Sequence, residues 1–142
     1  MEPIAYGPLH PSTRYRVLGM SAPFERVAAA VEGAIRDEGF LLLHVLDAQE
    51  ILRRAAHAIR PLRQYLFFHP DLMRRLLELA PGAVPEAPLK IVVLEHEDGQ
   101  VRLLAPLPLV ALAEYPSLRE LSIEISTRID RVLAAVTDGR AT

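Results

Sequence analysis

The chain of 142 residues has no cysteine. That excludes disulfide frameworks, thiolate metal sites, iron–sulfur ligation and cysteine nucleophiles together. It leaves the compartment open, because a thiol-free chain is stable in any redox setting. Glycine is scarce at seven residues, and none forms a glycine-rich phosphate loop or a dinucleotide fingerprint. The stretch GMSAP around Ser21 is not G-x-S-x-G, so it builds no nucleophile elbow. The five histidines show no HxH, HxxxH or HExxH spacing, and any metal site would have to assemble in space. The longest uncharged apolar run, Leu103 to Ala113, is 11 residues with two prolines, whereas a bilayer span needs about 20. No N-terminal segment has the layout of a signal peptide. A net charge of −2 argues against a general nucleic-acid binder, which is normally basic. The expectation is a cytoplasmic protein that binds neither nucleic acid nor membrane.

What is present suits a folded domain. Hydrophobic residues make up 51% and charged residues 24%, enough for a core without a metal or disulfide staple. The basic residues are lopsided: Lys90 is the single lysine beside 15 arginines. Residues 1 to 13 hold Pro3, Pro8 and Pro11 without periodicity and read as an extended arm; residues 14 to 142 read as one domain.

Along that domain, RYRVLG (Arg14–Gly19) has strand character. Phe24, Val27, Ala28, Val31, Ala34 and Ile35 then recur at helical spacing, and Gly39 ends the helix. FLLLHVL is a strand stopped by Asp47. Asp47 and Glu50 resemble a capping box for a helix whose inner face is Ile51, Leu52, Ala55 and Ile59, ended by Pro61. YLFF is a third strand, followed by a helix with Leu72, Met73, Leu76 and Leu77 inward. Asp98-Gly99 predicts a two-residue type I′ hairpin in which Glu95 opposes Arg102 and Leu94 opposes Leu103. Ser117 and Glu120 form a second capping box, opening a long helix with Leu118, Leu121, Ile125, Ile129, Val132 and Val136 buried. Ile123 and Leu133 are its apolar positions outside that stripe. The order β-α-β-α-β-α-β-β-α predicts an α+β fold, a largely antiparallel sheet covered on one face by helices.

Chemistry is harder to read. His69 stands where a strand meets a helix and Pro70 takes the first helical position, so His69 is the N-cap. Ser, Thr, Asn or Asp is usual there. A neutral imidazole accepts one amide hydrogen bond, yet at a helix N-terminus beside Phe67 and Phe68 it is also a candidate ligand for a divalent metal or haem iron. Arg74 and Arg75, one turn on, are placed to meet an anionic group. Lys90 enters the hairpin and is either an anion contact or a strand lysine that discourages unwanted pairing. His44 is expected to be half-buried with Phe40, Leu42 and Leu46 on its face. His57 shares a helix face with Arg53 and Arg60, in a basic stripe with Arg54 and Arg63. His96 lies beside the turn. Glu95 and Glu97 flank an exposed turn and read as solvated charge.

Three stretches in order, PFERVAAAVEGAIRDEGFLLLHVLD, YLFFHPDLMRRLLELAP and APLKIVVLEHEDGQVRLLAPLPLVALA, resemble the family of domain of unknown function 302 across residues 14 to 136. Gly39-Phe40, His69-Pro70 and Pro88-Leu89-Lys90 stand at its Gly-Phe, Asn-Pro and Leu-Pro-Leu-Lys positions. The resemblance implies a TATA-binding-protein-like α+β fold and a homodimer, and supplies no activity. His69 departs from the Asn of many relatives. Three functions follow. The first is a non-catalytic, homodimeric small-ligand-binding or accessory protein, with Phe68, His69, Arg74, Arg75 and Lys90 as ligand-binding residues. The second is a haem- or metal-binding protein with His69 as ligand. The third is an enzyme using His69 as acid/base on an anionic substrate.

Overall fold

The computed structural model describes residues 2–138. Its strands are β1 (Tyr15–Met20), β2 (Leu41–Asp47), β3 (Leu62–Phe68), β4 (Leu89–Glu95) and β5 (Val101–Pro106). The helices are α1 (Phe24–Asp37), α2 (Ala48–Arg54), α3 (Pro70–Leu79), α4 (Pro108–Ala111) and α5 (Arg119–Thr137), with 3-10 turns at Pro81–Glu86 and Pro116–Leu118. All strand pairings are antiparallel, in the order β1-β5-β4-β3-β2. This is the α+β fold that the alternation of periods predicts, with its long C-terminal helix.

One face of the sheet makes the core. The apolar positions of α1 are buried as their spacing requires, and so are Leu121, Ile125, Ile129, Val132 and Val136 of α5, with Leu118 just before it. They join Tyr65, Phe67, Leu89, Ile91, Val93, Val101, Leu103 and Ala105 of the strands in one cluster. Side chains alternate across a sheet, so the neighbouring positions fall on the other face. There the register sets Val17 beside Leu104, Leu104 beside Val92, and Lys90 beside Leu66. None of these five is fully buried. The N-terminal arm ties down at one end of the sheet: the Ile4 amide donates to the Ala58 carbonyl, and the Tyr6 amide to Glu97 Oε1. The His96 ring lies 3.2 Å from the Gly7 carbonyl and edge-on to Tyr6. Ile59 and Leu94 are buried outside the main cluster.

Several local expectations are corrected. The helix expected to reach Pro61 stops at Arg54. The Ala56 amide donates to the Arg53 carbonyl and the His57 amide to Leu52, a Schellman ending with Ala56 at φ +64°. α2 has no buried residue and Ile51 is 51% exposed. The basic stripe dissolves with the helix. Arg53 and Arg54 pair with Glu50, Arg60 with Glu95 and Arg63 with Glu25. Asp47 does cap α2, its Oδ1 accepting from the Glu50 amide at 3.1 Å, while the Glu50 carboxylate turns to its arginines.

In α3, Leu72 and Leu76 are buried but Leu77 is 47% exposed. A bulge between Leu42 and His44 breaks the alternation in β2, so His44 is exposed rather than half-buried. The hairpin is not type I′, because only Gly99 has positive φ in its turn. His96 and Gln100 close a three-residue loop, with the Gly99 amide donating to His96. This is a type I turn with glycine at the bulge. The extra residue moves the register by one: Leu94 opposes Arg102 and Val93 opposes Leu103. Ser117 does not cap α5; its hydroxyl donates to the Leu79 carbonyl, and Leu118 precedes the helix without a side-chain cap. Leu133, expected outside the stripe, is 4% exposed, and Ile123 stays on the surface.

Candidate functional site

A cavity of about 50 Å³ at one end of the sheet draws on two of the sequence-selected residues, Phe68 and Lys90. Phe68 and Lys90 reach it from the ends of β3 and β4, which pair there through Leu66 and Lys90. Tyr15 and Pro106, partners in the β1–β5 ladder, close the far side. Its floor is apolar: Leu76 of α3, Ile125 of α5, Leu112 just after α4, and Leu89. Each of these floor residues belongs to the main core. One water needs about 10–15 Å³ of such space, so the cavity holds a few waters or a ligand of roughly three to five heavy atoms. At its rim Arg14 donates to Glu86, 3.0 Å apart.

Lys90 differs electrostatically from the other basic residues. It is half-buried, and among the described residues it makes no hydrogen bond or ion pair. The arginines lacking an ion pair among the described residues, Arg26 and Arg119, are exposed. Every other described arginine has a carboxylate partner. A cation drawn partly out of water without a counter-charge is unfavourable.

His69 is the N-cap of α3, as its position between strand and Pro70 implies. Its Nδ1 accepts the Asp71 amide at 3.1 Å. The ring is half-buried and does not line the cavity. A neutral imidazole that accepts through Nδ1 carries its proton on Nε2, so its only lone pair is spent on the cap. Nε2 has no partner among the described residues. Arg74 lies on the outer side of α3, bonded to Asp71 at 2.7 Å and Glu78 at 2.8 Å. Hydrogen bonding from Arg74 holds the Asp71 carboxyl below its ordinary range. Arg75 points to α5 and pairs with Glu124 at 2.6 Å.

The five sequence-selected residues therefore divide. Phe68 and Lys90 share the cavity, while His69, Arg74 and Arg75 lie along α3 and outside its lining. Among the described residues no three His, Asp or Glu side chains converge as a metal site. A metal on His69 would take its other ligands from elsewhere. Among the cavity residues that sequence reading did not select are Arg14, Tyr15, Glu86, Pro106 and Leu112. The β1–β5 pairing brings Tyr15 to Pro106, and no local pattern announces a pairing between strands so distant in sequence.

A family model described as domain of unknown function DUF302 matches residues 17–136. A solved structure described as an uncharacterized conserved DUF302 protein from Bacillus stearothermophilus is similar, with a TM-score of 0.74 and 24% identity. The alignment covers 89% of this chain and 98% of that one. At this identity the likeness shows the fold alone. Comparison with curated proteins gives no match.

Proposed function

The chain belongs to the DUF302 family, whose description names no activity, and from that premise we propose a homodimeric, non-catalytic small-ligand-binding protein. The observation that carries the reading is the sheet-end cavity, apolar within and lined by Lys90, which has no partner among the described residues. No nucleophile–base pair or carboxylate dyad accompanies it among the lining residues. Titrating ¹⁵N-labelled protein with isopropanol, acetone, propionate and propionamide tests it. At least one should shift the amides of Phe68, Leu89 and Leu112 while leaving α2 unmoved. A panel that moves none of them sinks the reading.

The second copy would sit on the open face of the sheet. Five strands about 4.8 Å apart and six residues of about 3.3 Å each give a face of roughly 500 Å² in plan. Once corrugated by side chains, that is the size of a small to standard interface. Val17, Val92, Leu66 and Leu104 supply its apolar centre. Light scattering behind a sizing column should report a dimer that Val92→Glu or Leu104→Glu converts to monomer. A wild-type monomer at the highest soluble concentration would refute this part.

A second reading, His69 as haem or metal ligand, draws on the unengaged Nε2. It requires the Asp71 amide to be released so that the proton can move to Nδ1, at a cost of about 1 kcal/mol for the lost cap. Haemin titration decides it: a Soret band present in wild type and absent in His69→Ala supports ligation, and identical spectra oppose it. The third reading, His69 as acid/base on an anionic substrate, likewise needs the Asp71 amide released, since a neutral ring that gave up its Nε2 proton would become imidazolate. It needs a substrate whose turnover, but not binding, is lost in His69→Ala.

A further inference from the structure

The open face of the sheet already has an occupant at one end. Leu94 lies on that face, opposite Leu62 and Arg102, yet it is 7% exposed and stands outside the main core. The segment held at that end is the N-terminal arm, bonded to Ala58, His96 and Glu97. From Gly7 the chain must then reach Tyr15 at the opposite end. His96 closes on Gln100 and Tyr15 pairs with Pro106, so the two anchors are six residues apart along β5 and two strands apart across the sheet. That separation is about 22 Å at strand spacings. Eight extended residues reach about 26–29 Å, so the connector has little slack, and its direct course crosses β5 and β1 on the open face. Residues 8–13 make no backbone hydrogen bond to the domain among the described residues, and Pro8 and Pro11 keep the residues before them extended.

The arm's hold is weak. It consists of the Ile4 and Tyr6 amides and the Gly7 carbonyl, with the Tyr6 ring edge-on to His96. At this corner the Tyr6 hydroxyl and Arg60 Nε are buried with no hydrogen-bond partner among the described residues, which favours release of the arm to water. Resting on the reading that a second copy sits on the open face, we propose that the arm is a strap that competes with that copy. Val17 and Leu104, in the apolar centre of the interface, belong to the two strands that the connector crosses. Strap and second copy cannot both rest on them, so two copies pair fully only when the arm swings off. In the monomer the strap shields part of an apolar face that would otherwise stand open.

Because the chain has no cysteine, Ile4→Cys with Ala58→Cys gives one defined lock, closed by oxidation or, failing that, by a short bismaleimide. Sedimentation velocity over a dilution series compares the full chain, the locked chain and a chain lacking residues 2–10. Tyr6→Ala replaces the deletion if that variant misfolds. An arm docked for about nine-tenths of the time weakens pairing roughly tenfold. The deletion should therefore dimerise about tenfold more tightly than the full chain, and the locked chain more weakly than its unlocked parent. A deletion that pairs no more tightly, or a lock that changes nothing, would overturn the strap and leave the dimer standing. Weaker pairing of the deletion would overturn it likewise, by making the arm part of the interface. Failure of every form to dimerise, the deletion included, would overturn both.

Discussion

At Gly39 and Ala56 the chain uses one helix ending twice with different residues. Gly39 donates to Arg36 and Phe40 to Ile35, while Ala56 donates to Arg53 and His57 to Leu52. The two residues have φ of +87° and +64°. A Cβ in the left-handed region costs roughly 1–2 kcal/mol, and glycine's greater unfolded-state freedom offsets roughly half of that. Ala56→Gly should therefore stabilise the protein by about 0.5–1 kcal/mol, and Gly39→Ala should destabilise it by about 1 kcal/mol; urea midpoints measure both. The same pair explains one success and one failure of sequence reading. A glycine announces its stop, and an alanine at the equivalent place is silent. His69 is a third case. Its cap is legible from Pro70, but imidazole is an inferior acceptor there. His69→Asp should raise stability by about 0.5 kcal/mol, since Asp both caps and suits the positive helix end. A loss instead would mean that the ring does more than cap.

Among the elements, α1 and α5 were legible because their apolar stripes repeat at 3.6 residues and every position of the expected stripes reaches the core. α2 was over-extended because Ala55 and Ile59 continue that period past a stop with no sequence marker. The hairpin was found, but its register was missed by one residue. Asp98-Gly99 fits a two-residue turn as well as a bulged three-residue one, and only the closure of His96 on Gln100 separates them. The cavity suffered most, since it needs the β1–β5 ladder and the helix ends together. α2, which has no fully buried residue, carries an exposed cluster of Glu50, Arg53 and Arg54. Hydrogen bonds and attraction from Arg53 and Arg54 bring the Glu50 carboxyl down to about 2. A lowered carboxyl favours the folded state above its unfolded value near 4.5, and that support disappears as pH falls through about 2. NMR titration should give Glu50 a midpoint near 2, and Arg53→Gln or high salt should move it upward. A midpoint unchanged by either would show that the ion pair does not set it.

For the molecule as a whole, the five-stranded sheet divides work between its faces. One is closed by α1 and α5; the other is open except where Leu94 is buried near the arm's anchors. Deleting residues 2–10 removes Ile4 and Tyr6 with their bonds to Ala58 and Glu97. It should lower stability by about 1–3 kcal/mol, the scale of uncovering one or two side chains, while far-ultraviolet circular dichroism stays that of the full chain. Complete unfolding would instead make the arm part of the core. The single lysine has a consequence of its own. Apart from the amino terminus, Lys90 is the one primary amine available to an acylating reagent, so a succinimidyl ester reads one internal address. The mass gained per molecule becomes a footprint of that address.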